Sequence, residues 1–245
     1  MSEQPRIFFP VALNHSQWRC VIVGGGAEAE FKTRIFNQFC AIPDLVAEGF
    51  TPGLEELARK GLARLSRGSY RPEALDGARV VLACDEDEDL NLRVAEDAKS
   101  RGALFNMVDN AEASDFIATS FVRKGNITVT VMTDGLSPAF ANSLRDKFSL
   151  ILDGGYQEHL EFFVKLKERI GALTDDLRVK KSIWRDINAS GLLEKLESGD
   201  LPGAMAAVDA AVAKHVRAGT GRRVRKLPRS GRGSALRRSD EEGGV

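Results

Sequence analysis

Between Arg19 and Cys40 an apolar run, Cys20-Val21-Ile22-Val23, meets three glycines, Gly24-Gly25-Gly26, and then a segment in which Phe31, Ile35 and Phe39 recur at helical spacing. A short buried strand, a glycine turn and a helix in immediate succession are the opening of a βαβ unit. Gly24, Gly26 and Ala29 fill a G-x-G-x-x-G/A pattern. In such a turn the first glycine allows the sharp bend and the second leaves bare backbone for a pyrophosphate. The small third residue lets helix and strand approach closely. The N–H groups and dipole at the helix start then attract the anion. Three glycines alone can be a plain tight turn, and it is the strand before and the helix after that favour a dinucleotide.

The chain has 245 residues, 43% of them hydrophobic, which allows one large domain or two smaller ones and is ample for a real core. No apolar run approaches the ~18 residues that span a bilayer, and Met1 to Pro10 lacks the pattern of a secretory signal. Cys20, Cys40 and Cys84 form no metal-ligand spacing, so they read as small apolar residues in a reducing compartment, and a cytoplasmic location is expected. His15, His159 and His215 lie far apart in sequence and suggest no metal site. Charge is zero overall but uneven: residues 219–245 hold eight basic and three acidic residues and almost no large apolar ones. That tail is expected to be disordered. Without aromatic residues it offers nucleic acid only a non-specific, salt-sensitive attraction.

Ala41 to Ala47 reads as a second strand, with Pro43 at its start because proline cannot donate to a ladder. Glu48 follows, about 20 residues beyond the glycine turn; by position it reads as the carboxylate that holds the ribose hydroxyls of NAD and repels the 2′-phosphate of NADP, by residue type alone as a solvated loop glutamate. Pro52 to Lys60 and Pro72 to Leu75 read as short helices, with a brief strand over Gly61 to Ser66 between them. Ala78 to Cys84 is a central strand, and Asp85 to Asp89 a solvated start for the helix Leu90 to Ser100. Leu104 to Val108 is a further strand. Asp109 stands at its carboxyl end, on the edge where doubly wound sheets place their ligands. There it reads as a proton acceptor or metal holder, or equally as a turn residue. Phe116 to Val122 and Ile127 to Met132 are β-type runs joined by Arg123-Lys124-Gly125-Asn126. Ser137 and Pro138 then start a helix as N-cap and first residue. From Gly155 to Arg217 the apolar spacing is helical throughout.

Taken together, Val21 to Gly26 with Lys32, Asn106-Met107-Val108-Asp109, Phe116-Ile117, and Thr133-Asp134-Gly135-Leu136-Ser137-Pro138-Ala139-Phe140-Ala141 with Arg145 resemble the precorrin-2 dehydrogenase family. Its members occur alone, as dehydrogenase or dehydrogenase/ferrochelatase, or as the N-terminal part of siroheme synthase. The resemblance covers roughly residues 5 to 215. It implies NAD-dependent oxidation of the tetrapyrrole precorrin-2 to sirohydrochlorin, followed in some members by Fe2+ insertion, in a homodimer. It matches Asp109 to the catalytic aspartate and places cofactor contacts at Gly24, Gly25, Gly26, Ala27 and Glu28 and at Glu48 and Gly49. Asn106, Thr133, Ser137 and Arg145 become candidate substrate contacts. No resident metal is implied. The chain departs from the family pattern at Glu28, Phe31, Cys84, Thr119 and Asp134.

The expected architecture is α/β. A Rossmann-type doubly wound parallel sheet occupies residues 1–112, a β-hairpin dimerisation region 113–153, a small all-α domain 154–218 and the basic tail 219–245. The competing function is an NAD-binding sensor without chemistry, which would have no need of a carboxylate at position 109.

Overall fold

The structure, a computed structural model, describes residues 8–108 and 110–216. Asp109 and the basic tail, on which two of the expectations above fall, lie outside the described residues. The described chain divides into two units. One contains the residues up to Val122 together with Val129–Lys147, the other Arg123–Thr128 with the residues from Phe148 onward.

The first unit is built on five parallel strands, β1 (Arg19–Val23), β2 (Asp44–Ala47), β3 (Arg64–Arg67), β4 (Ala78–Ala83) and β5 (Leu104–Met107), in the order β3-β2-β1-β4-β5. Chain order reverses between β1 and β4, which opens the crevice where such sheets bind ligands. Side chains alternate along β1 and β4, so the sheet has two buried faces. Val21, Val23, Val81 and Ala83 face α3 (Glu88–Ser100) and the short 3-10 turn Pro72–Leu75. Cys20, Ile22, Val80 and Leu82 face α1 (Ala27–Gln38) and α2 (Pro52–Arg59). Pro43 immediately precedes β2 and contributes only its carbonyl, which accepts from Arg64 N.

The covering face of α1 differs from the one the apolar spacing suggests. Ala29 and Thr33 are its buried residues, Phe36 packs beside them, and Phe31 is 56% exposed. Small residues let the helix lie close against the sheet, and Thr33 remains inside because its hydroxyl donates to Ala29 O at 2.7 Å. Phe39 instead meets Phe121, with ring centroids 5.2 Å apart.

Two further strands, β6 (Ser120–Lys124) and β7 (Ile127–Val131), form a separate two-stranded hairpin around Gly125-Asn126. The strand begins later than the β-type run at Phe116, because residues 114–116 are tied back to β5: Asp115 N donates to Phe105 O at 2.8 Å and Asn106 Nδ2 to Phe116 O at 2.9 Å. Helix α4 (Pro138–Leu152) follows, and the Ser137 Oγ accepts from Phe140 N at 3.2 Å as its N-cap.

The second unit packs α5 (Tyr156–Leu173), α6 (Leu177–Ala189), α7 (Leu192–Glu197) and α8 (Leu201–Val216) around Leu166, Ile170, Ile183, Ile187, Leu192 and Val208. Phe163 stacks on Trp184 at 6.2 Å. Asp186 on α6 accepts from Lys214 at 2.6 Å and pairs with His215 at 2.9 Å, which locks the end of α8. Those two contacts hold its carboxyl far below the usual range. Among the described residues no helix is long and apolar enough to cross a membrane.

Candidate functional site

At the carboxyl edge of the sheet the β1–α1 turn is pressed between two neighbours. Gly24 has φ +129°, and a Cβ there would lie 2.6 Å from the Cys84 carbonyl oxygen after β4. A Cβ on Gly25 would overlap the Gly49 carbonyl oxygen after β2. The turn is fastened by Gly24 N donating to Val46 O at 2.9 Å, Cys84 N to Val23 O at 2.8 Å, and Thr51 N to Gly25 O at 3.0 Å. Gly26 differs from both. Nothing lies within 4 Å of a Cβ built on it, and it caps α1 with no side-chain hydrogen bond. A helix start with open space before bare backbone is what a pyrophosphate requires. The fully buried Ala29 completes the close packing assigned to the third small position.

A cleft of about 970 Å³ runs from this turn over the ends of β2, β3 and β4, lined among others by Gly25, Gly26, Glu48, Gly49, Ser69 and Tyr70. Glu48 is exposed at its rim, one residue beyond β2, and its Oε1 accepts from Ser69 Oγ at 2.8 Å. A second cleft of about 630 Å³ continues on the β5 side, where Gly26, Ala27, Glu28, Cys84, Val108 and Asn110 line it. The two clefts meet at Gly26, Cys84, Asp85 and Glu86, which line both.

The loop after β4 is set by Asn91, a buried residue of α3. Its Oδ1 accepts from Asp85 N at 3.1 Å and its Nδ2 donates to Asp85 O at 2.8 Å. Asp87 caps the same helix through Leu90 N. Burial pushes the Cys84 thiol up to about 12, so at neutral pH this residue is a small apolar wall and not a nucleophile.

Asp109 lies between Val108 and Asn110 in sequence, and both flanks are braced. Val108 N donates to Ala83 O at 3.1 Å, continuing the ladder beyond β5. Asn110 N donates to Met107 O at 3.3 Å, and its Oδ1 accepts from Ala113 N at 2.9 Å. Ser114 Oγ bonds both Asn110 O at 2.7 Å and Met107 N at 2.9 Å. Asn106 is buried with its amide given to Phe116 O, so it acts as a brace of this turn.

The other candidates fall in a different place. Thr133 and Arg145 line a cavity of about 430 Å³ with Phe31, Lys32, Ile35 and Asn142, on the outer side of α1. Thr133 Oγ1 also accepts from Ser137 N at 3.2 Å, whereas Ser137 is a helix cap outside that lining. Arg145 is paired with Asp146 at 2.7 Å. Lys32, itself part of this lining, bonds Glu28 of the β5-side cleft at 3.1 Å.

Reasoning from sequence missed Asn91 and Ser69. Asn91 had a signal, a polar residue three and seven places before the buried Val94 and Ala98 on the covering face of α3. Ser69 had none, being an exposed serine after a glycine. Among the described residues no group of three or more His, Cys, Asp or Glu is arranged to hold a metal ion.

Residues 11–120 match a family model described as putative NAD(P)-binding. The siroheme synthase of Chromobacterium violaceum is 32% identical over 206 residues, covering 84% of this chain and 44% of that protein. The siroheme synthase of Edwardsiella ictaluri is 30% identical over 204 residues, with 83% and 44% covered. The chain therefore spans less than half the length of the curated relatives it matches. A solved structure of SirC, a precorrin-2 dehydrogenase, superposes with a TM-score of 0.66 at 20% identity, covering 83% of this chain and 98% of that one, and shares the fold.

Proposed function

Because the chain belongs to the precorrin-2 dehydrogenase family, whose fold also forms the N-terminal part of siroheme synthases, we propose that it oxidises precorrin-2 to sirohydrochlorin with NAD. The observation that carries this reading is that the Gly26 helix start, Glu48 and the braced turn flanking Asp109 share one carboxyl edge of one sheet. NAD, when bound, supplies the hydride acceptor. The Gly26 backbone holds its pyrophosphate, and Glu48 accepts from its ribose hydroxyls and selects against a 2′-phosphate.

Loss of a hydride and a proton from the tetrapyrrole needs one acceptor for each. We assign the proton to the Asp109 carboxylate, since its neighbours in sequence, Val108 and Asn110, both line this cleft and proton acceptance is the task of a carboxylate base. Lys32, Thr133 and Arg145 are assigned to the substrate: their cavity combines cations with apolar walls, which suits a ring bearing carboxylates. Fe2+, where inserted, is a substrate that displaces two pyrrole protons, and the same carboxylate is the group we assign to take them one at a time, releasing the first to solvent before it accepts the second.

Assembly as a homodimer is part of this proposal. It is supported by the exposed apolar residues of α4 and the turn before it, among them Leu136 at 82% and Leu150 at 75%. A cytoplasmic location is proposed from the three free cysteines, which suit a reducing compartment. Anaerobic incubation with precorrin-2 and NAD, following NADH and the sirohydrochlorin spectrum with and without Fe2+, tests the activity. NADH and sirohydrochlorin should appear in equal amounts, and absence of both would overturn it.

A further inference from the structure

We propose that Ser69 is a positioning residue that sets the preference for NAD by holding the Glu48 carboxylate in place; this rests on the cofactor reading above. The two residues meet across neighbouring strand ends. Gly68 N donates to Ala47 O at 3.0 Å, which extends the β2–β3 ladder one residue past β3, and Gly68 then turns the chain with φ +143°. The next residue on each strand is Ser69 and Glu48, and the serine hydroxyl reaches Glu48 Oε1 at 2.8 Å. Tyr70 fixes the other side of this segment by donating to Asp97 of α3 at 2.9 Å. Ser69 is therefore held between two strands and a helix, while Glu48, exposed and unbranched, has no other hydrogen bond to steady it among the described contacts.

An exposed glutamate loses rotamer freedom when it grips a ligand, and a neighbour that already fixes its rotamer removes part of that cost. The hydroxyl takes one lone pair of Oε1 and leaves Oε2 and a second lone pair for the 2′ and 3′ hydroxyls of the adenosine ribose. Steadied there, the negative charge also stays where a 2′-phosphate would have to sit. The same hydrogen bond thus favours one cofactor and disfavours the other, which a merely structural contact would not do.

Calorimetric titration of the full chain with NAD and with NADP, without substrate, tests this. Ser69→Ala should weaken NAD roughly 3- to 20-fold, leave NADP unchanged or slightly tighter, and narrow the preference. Ser69→Thr, which keeps the hydroxyl, should restore it. In a Glu48→Ala background Ser69→Ala should change neither affinity further. Equal loss of both cofactors, or no change of the ratio, would overturn the role of Ser69. A loss of NAD affinity that persists without Glu48 would mean that the serine contacts the cofactor itself, which also overturns it. A wild-type chain that binds neither cofactor, or both alike, would remove the cofactor reading and this inference with it.

Discussion

Gly25 stands against Gly49 so closely that a methyl group on the first would overlap the carbonyl oxygen of the second, whereas Gly26, its neighbour, faces open space. Adjacent glycines therefore have separate duties. Gly25→Ala should destabilise the fold by about 1–3 kcal/mol or more, because two backbone segments must separate. Gly26 has φ −85°, open to any residue, so Gly26→Ala should unfold within a degree or two of wild type yet bind NAD on the order of tenfold more weakly. Thermal melts paired with NAD titration check both. Equal melting losses would contradict the division.

The thiols should separate by reactivity. Cys40 is exposed, whereas burial raises both Cys20 and Cys84, the latter to about 12. At pH 8 Cys84 is therefore held as the unreactive thiol. Alkylation of the native chain followed by peptide mass spectrometry should mark Cys40 alone, and the other two only after denaturation.

Glu30 links α1 to α2. Its carboxylate accepts from the Thr51 hydroxyl and pairs with Arg34 at 2.7 Å, and Gly53 leaves room for it at the start of α2. The Thr51 bond and then Arg34 lower its pKa from the usual 4.5. A depressed carboxylate contributes stability above its unfolded value and loses it as pH falls through the folded one. Glu30→Gln should thus cost about 0.5–1 kcal/mol at pH 7. That difference should shrink as pH falls below 4.5. Urea unfolding at both pH values measures it, and a gap that grows in acid would contradict the sign.

The apolar residues around α4 give the assembly prediction. Light scattering of the full chain should report a dimer, and Leu136→Glu with Leu150→Glu should yield a folded monomer, since both side chains are already exposed in the single chain. A wild-type monomer would contradict the proposed dimer.

Much of this was legible in the sequence because local chemistry and tertiary structure agree there. The β1 run, Pro43 before its strand, Pro52 at the start of α2, the acidic start of α3, Ser137 as a cap, and Glu48 beyond β2 each follow from a local rule. Failures came where a distant partner decides. Phe31 looked buried by spacing, but the sheet accepts only the small face of Ala29 and Thr33. Phe116 to Thr119 looked like strand, but Asn106 and Phe105 hold its start to β5. The Ser69–Glu48 bond joins residues 21 positions apart, and no periodicity announces it.

The central claim is that this chain oxidises precorrin-2 through a carboxylate at position 109, and Asp109→Asn assayed anaerobically with precorrin-2 and NAD tests it most directly. The substitution keeps size and hydrogen-bonding shape but removes the proton acceptor. NADH formation should fall roughly 10²- to 10⁴-fold, with melting temperature and NAD affinity unchanged. Normal NADH formation by Asp109→Asn would contradict the account.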